Sequence, residues 1–266
     1  MSLKERFDQY EAAHDTEITK RLPVVIRSEL RGFKKLTQNL SQPYSAEMSE
    51  IMANAMLYAI VEIQDAVFGF MHLGECNFIL RNDLVLDTTP WYQNNIQKMS
   101  STISSLMTVG FYKYLRLCYD DMKLVGDAVF NTKVFAVPYL GEASNYLMWR
   151  QLVGMNYAVS EAAAYELESK FEKKTAIKIL GGQSAAEKAE LLLRHCGINF
   201  EEYYPQPFIS GVAAYKVPVI TGDFTKNKWN LNYNVPKFVD NKDFVSSILN
   251  NGKQLYTADL LDGVND

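Results

Sequence analysis

The stretch 67–80, VFGFMHLGECNFIL, constrains the architecture more than any other part of the chain. Its halves, 67–71 and 76–80, are rich in Val, Phe, Ile and Met, and His72, Leu73 and Gly74 between them form a break short enough for an antiparallel hairpin. From 45 to 65 the apolar residues Met48, Ile51, Met52, Ala55, Met56, Ala59, Ile60 and Ile63 recur every three or four positions, which predicts a helix with one buried face running straight into that hairpin. PVVIRSEL at 23–30 reads as an earlier strand and KVFAVP at 133–138 as a later one, with a helical run from 91 to 119 before it. Gly110 is expected to be a weak point in that run.

Strand, helix, strand, strand, helix, strand is the split βαβ order of a ferredoxin-like α+β fold, four antiparallel strands with two helices on one face. In that plan the strands at 23–29, 66–72, 75–81 and 132–138 form the sheet, and the first and third lie side by side. Residues 1–140 then make this domain, and 141–266 a C-terminal extension packed on the same core. The pattern is helical from 142 to 178 and again from 184 to 195, and 198–266 reads as an irregular flap with short strand-like pieces such as GVAAYKVPVI at 211–220 and with frayed acidic end residues.

Pairing the first and third strands brings Glu29 near Glu75, just past the hairpin turn. Enzymes that move phosphoryl or nucleotidyl groups hold divalent metals on carboxylates at such strand ends, and two ions about 4 Å apart need two or three of them. Gly74 sits where one of these carboxylates would be wanted. Composition adds bounds rather than direction. At 266 residues and 48% hydrophobic the chain fills a core of its own, and a formal charge of −4 does not advertise nucleic-acid binding. Cys76, Cys118 and Cys196 lack metal-ligand spacing and suit reduced thiols, and no apolar run approaches the ~20 residues of a membrane span, so a soluble, cytoplasmic protein is expected.

Taken together, several stretches resemble a known family. RFDQYE at 6–11, PVVIRSELRGFKKLT at 23–37, QDAVFGFMHLGECNFIL at 64–80 and WYQNNIQKMSSTISSLMT at 91–108 are similar to blocks of the tRNA-His guanylyltransferases, in particular their bacterial and phage members. FNTKVFAVP at 130–138, ASNYLMWRQ at 143–151 and the GIN of CGINFEE at 197–199 follow in the same order. The resemblance implies a palm domain related to ordinary polymerases that adds a nucleotide to a tRNA 5′ end, in the 3′-to-5′ direction, with ATP, GTP and magnesium.

The match departs from the family where the chemistry resides. The family's Asp-Gly at the end of the first strand is Glu29-Leu30 here, and its Ser-Asp-Glu at the hairpin is Leu73-Gly74-Glu75. Its polar Asp-Ala-Thr-Arg-Asn-Ser run is Leu152 to Tyr157, LVGMNY, and the Arg of its Phe-Asp-Ala-Arg block is Lys133. Magnesium on Glu29 and Glu75 is therefore expected to be weak. By the same resemblance Arg27, Asn94, Asn95 and Lys98 face a nucleotide, GTP or ATP, and Trp149 and Arg150 serve RNA binding or an interface.

Each residue also has a plainer reading, Glu29 and Glu75 as solvated strand-end acids, Lys98 as a surface charge, Trp149 as core or interface. His14, His72 and His195 are too scattered for a ligand set. Two function classes stand. One is a catalytically degenerate relative, a pseudoenzyme that keeps a role in binding RNA, a nucleotide or a protein, as a homo-oligomer or beside another protein. The other is an active magnesium-dependent nucleotidyltransferase acting on tRNA.

Overall fold

A computed structural model describes residues 1–84, 89–221 and 224–251; the acidic end expected to fray lies outside them. In chain order the elements are α1 (Leu3–Ala12), β1 (Val24–Leu30), α2 (Phe33–Leu36), α3 (Ala46–Val61), β2 (Ala66–His72), β3 (Glu75–Leu80), α4 (Ile96–Cys118) and β4 (Phe130–Ala136). There follow α5 (Leu140–Lys170), α6 (Lys173–Leu180), α7 (Ala185–Cys196), α8 (Phe200–Tyr203), α9 (Gln206–Ser210), β5 (Val212–Thr221), β6 (Phe224–Asn232) and α10 (Lys242–Asn251). The strands form one six-stranded sheet in the order β4-β1-β3-β2-β5-β6, with every neighbouring pair antiparallel.

Alternation along the strands divides the side chains between two cores. Val24, Ile26 and Leu30 of β1, with Cys76, Phe78 and Leu80 of β3, meet α3 and α4 through Met52, Met56, Ile60, Met99, Ile103 and Phe111. Each fully buried Met, Ile or Phe in this layer contributes about 1.5–3 kcal/mol of apolar burial. The Ser45 Oγ starts α3 by accepting from the Met48 N–H at 3.1 Å. Asn95 does the same for α4, so that helix begins at Ile96 and not at 91; Tyr92, Gln93 and Asn94 before it have positive φ. Gly110 does not interrupt α4. It lies under Tyr58 of α3, whose ring and Cβ are 3.0 Å from where a Cβ at 110 would stand, so it marks the close approach of two helices.

The opposite face is covered by the second half of the chain. Val25, Phe68, Phe70 and Ile79 pack with Ala143 and Leu147 of α5 and with Phe244, Val245 and Leu249 of α10. The far half of α5 forms a third cluster through Ala158, Ala162 and Ala163 with Leu192, Phe200, Tyr204 and Phe208. Residues 198–266 are thus not an irregular flap throughout. β5 adds to β2 along Val212–Tyr215 and pairs with β6 over its length, so both halves of the chain share one sheet. The helical reading of 142–178 holds as two helices, α5 and α6, parted at Phe171.

His72, at the end of β2, ties these layers together. Its Nε2–H donates to the Phe208 carbonyl at 2.8 Å, and its buried Nδ1, without a hydrogen-bond partner among the described residues, faces α5 at Gly154, where a Cβ would stand 2.0 Å away. Burial holds the imidazole's pKa down, to about 4 from the usual 6.5, against upward pulls from the Phe208 bond and Glu75. The unfolded chain therefore takes up the proton first as pH falls. Stability that is complete above about pH 6.5 declines as pH falls through about 4, by about 3 kcal/mol in all. Urea midpoints compared between about pH 7.5 and about pH 4.5 should fall further in wild type than in His72→Gln.

Candidate functional site

Glu29 and Glu75 do come together. They are direct Cα partners in the β1–β3 ladder, on the face that α5 covers. Arg27, two residues before Glu29 on the same face, lies between them: its Nε donates to Glu75 Oε2 at 2.7 Å and its Nη2 to Glu29 Oε1. Arg150 of α5 binds Glu75 with both Nε, 2.7 Å from Oε1, and Nη2, to Oε2. Asn77 adds an amide N–H to Glu75 Oε1 at 2.9 Å and is itself held by the Tyr146 hydroxyl, which donates to Asn77 Oδ1 at 2.7 Å. Burial of Arg27 lowers its pKa, but Glu75 and Glu29 outweigh that and the group is raised above its usual value. Burial and then Glu75 push the Tyr146 phenol up, so it stays a donor.

This arrangement decides what the carboxylates can hold. An ionised carboxylate offers about four lone-pair directions, and Glu75 fills four with Arg27 Nε, Arg150 Nε, Arg150 Nη2 and Asn77 Nδ2. The two acids are matched by two guanidinium groups, so the cluster has no net negative charge with which to hold a divalent ion. Nor is there room at the hairpin turn for a third acid. A Cβ at Gly74 would stand 2.6 Å from Phe33 Cδ2 and 2.9 Å from Phe33 Cβ, and the Gly74 carbonyl already accepts from the Leu30 N–H at 2.8 Å. Among the described residues no group of three or more His, Cys, Asp or Glu could hold a metal ion. The residues present do not fit a magnesium pair.

Trp149 is not core. The residue is 53% exposed, with the Arg150 guanidinium 4.7 Å from its ring centre and Tyr146 edge-on at 5.9 Å. Lys133, directly opposite Arg27 on β4, is exposed on the same face. Beyond it, Leu152, Val153 and Tyr157 are exposed along α5. Asn94, Asn95 and Lys98 are not brought to this cluster, because α4 packs on the other face of the sheet. Asn94 donates to the Ile18 carbonyl at 3.2 Å and accepts from Asn82 at 2.9 Å, and Asn95 donates to Asp15 at 3.0 Å while capping α4, so both fasten the N-terminal segment. Lys98 is an exposed side chain one turn into that helix. Sequence reasoning missed Phe33, Asn77 and Tyr146. Strand alternation puts Asn77 beside Glu75, but nothing local announces that Tyr146, 69 positions away, reaches it.

Against known sequences, the model of the family described as "Thg1: tRNAHis guanylyltransferase" matches residues 4–138, half of the chain. The chain belongs to this family. Among curated relatives, the tRNA(His) guanylyltransferase of Schizosaccharomyces pombe is 25% identical over 201 residues, covering 74% of each chain. A probable tRNA(His) guanylyltransferase of Drosophila melanogaster is 24% identical, over 79% of this chain and 72% of that one. A solved bacterial tRNA(His) guanylyltransferase-like protein in complex with ATP superposes with a TM-score of 0.80 at 21% identity, over 94% of this chain and all of that one. The tRNA(His) guanylyltransferase of Saccharomyces cerevisiae gives 0.68 at 20% identity, over 87% and 98%. The mixed fold of helices and antiparallel sheet is therefore the one these family members share.

In a tRNA(His) guanylyltransferase relative built this way, Glu75 is a counter-ion before it is anything else. Glu75→Gln leaves Arg27 and Arg150, 21% and 11% exposed, short of their common partner. Urea unfolding should show a loss of about 3 kcal/mol. Glu29→Gln, at a side chain 43% exposed, should cost under about 1 kcal/mol. Two adjacent acids without cationic partners would repel and give the reverse result, a gain on removing either charge.

Proposed function

We propose that this chain is a catalytically degenerate member of the tRNA-His guanylyltransferase family that binds a nucleotide or RNA without transferring a nucleotide. The observation that carries the reading is Glu75, whose acceptor positions are taken by Arg27, Arg150 and Asn77, beside a Gly74 whose side-chain space is taken by Phe33. Nucleotidyl transfer depends on metal ions that position the phosphates and neutralise their charge. A site that cannot hold them forfeits several kcal/mol of transition-state stabilisation, about a thousandfold or more in rate.

Binding is a separate matter. The similar bacterial protein was solved with ATP and another such structure with GTP. Here a pocket of Phe33, Tyr44, Leu73, Tyr157 and Phe208 opens beside the hairpin, spanned by Lys34, which donates to both oxygens of Glu161 at 2.9 and 2.8 Å. Its aromatic walls are interleaved with the polar groups of Thr37, Gln42, Ser45 and Ser49, a lining that can take a nucleobase. In this reading residues 1–140 are a ferredoxin-like, polymerase-palm-like domain of the bacterial or phage type and 141–266 its extension. The protein works in the cytoplasm on tRNA or another RNA, as an oligomer of itself or with a second protein, the exposed Trp149, Leu152 and Val153 being the face available for that contact.

Incubation of the pure protein with labelled GTP or ATP, magnesium and a set of tRNAs tests the reading. The expected result is no label at the 5′ end in wild type, and none in Gly74→Asp, which must displace Phe33 and should also lower the thermal midpoint. Calorimetry with magnesium alone should show no tight site. Robust incorporation by wild type refutes the proposal and restores the active transferase.

A further inference from the structure

We infer that the exposed face of α5 is a homodimer interface, in which Trp149 of each copy enters the groove between α5 and α7 of the other. The inference rests on the α5 contact face proposed above and names its occupant, a second copy of this chain. From Ala143 to Ser160 the helix carries one charged side chain, Arg150, and that one is spent on Glu75. Trp149, Leu152, Val153 and Tyr157 nevertheless stand exposed at successive spacings of three, one and four, the stripe that a second helix packs against. Exposed helix faces are ordinarily charged, whereas the centre of a protein interface is depleted of charge and enriched in Trp and Tyr. Trp149 is also held in advance, with the Arg150 guanidinium over its ring and Tyr146 against its edge, so ordering it on association costs little.

The same face holds a receptor for it. Met155 and Val159 of α5, with Ala186, Ala189 and Leu193 of α7, line a groove of about 440 Å³. Its rim acids are paired within the chain, Glu190 to Arg194 and Glu201 to Lys237, which leaves apolar walls between neutralised edges. Position decides the occupant. Trp149 stands four residues before Val153, and the α5 wall of the groove, 155–159, is centred four residues after it. Two copies of α5 packed antiparallel about a two-fold axis at Val153 therefore put each Trp149 beside the other's groove, the reciprocal contact that a two-fold interface requires. An uncharged stripe meets itself without repulsion, and it offers no cation to an RNA backbone. About three turns of helix per copy make a small interface, so dissociation falls in the micromolar range.

Sedimentation of the full chain from about 1 to about 200 μM, without nucleotide or RNA, tests this. Wild type is expected to pass from monomer to dimer across that range. Trp149→Ala, which empties the groove, and Ala186→Arg, which fills it, should each weaken self-association at least about tenfold while keeping the wild-type thermal midpoint at the dilute end. An equimolar mixture of the two variants restores one of the two contacts, so it should associate more tightly than either variant alone. In a Cys118→Ser background, Val153→Cys should form a disulfide between copies under mild oxidation, because a residue on the axis faces itself. A wild type that stays monomeric throughout overturns the inference, whether or not the face binds RNA or another protein. So does a dimer of wild-type affinity in both variants, or a mixture no tighter than its components. None of these readouts involves nucleotide or tRNA, so the dimer and the absence of label transfer stand or fall separately.

Discussion

The bond between the Glu75 carboxylate and two arginines from distant parts of the chain holds the second half of the molecule to the first. Arg27 comes from the strand beside Glu75 and Arg150 from a helix 75 positions later, and a single carboxylate joins them. A partly buried charge is stabilising only when its partners are present and well oriented. That requirement sets where α5 lies along the sheet. Once Arg150 is placed, Tyr146 one turn earlier meets Asn77 and Trp149 is left facing solvent.

α5 in turn links the remaining layers. Its first half shares a core with β2, β3 and α10, and its second half shares another with α7, α8 and α9. The hairpin of β5 and β6 joins the edge of the same sheet. Residues on either side of position 140 are therefore coupled through a common sheet and a common helix. A substitution in the strand-end cluster is felt in both halves.

Much of this was legible in the sequence, for definite reasons. The hairpin, α3, β1 and β4 each bury one face or both, so their apolar spacing states their period, and the strand order followed from the order of elements. β5 shows in the sequence as the strand-like GVAAYKVPVI, but its partner β6, FTKNKWNLN, does not, because it is an edge strand half open to solvent, where no apolar run is required. The start of α4 was misplaced because three residues with side chains, Tyr92, Gln93 and Asn94, adopt left-handed backbone, which no spacing rule announces. Arg27, Glu75 and Arg150 were all singled out, but as separate ligands. Their mutual pairing depends on how α5 lies across the sheet, a three-dimensional fact that neither strand nor helix encodes by itself.

The contact between His72 and Gly154 couples two distant positions. With the imidazole in place, position 154 accepts no side chain, since even a methyl group would overlap Nδ1. Any side chain there requires position 72 to shrink first, which releases the Phe208 carbonyl from its donor. The hairpin end and the middle of α5 are thus interlocked as a single fitted pair, in which neither partner can be exchanged without the other.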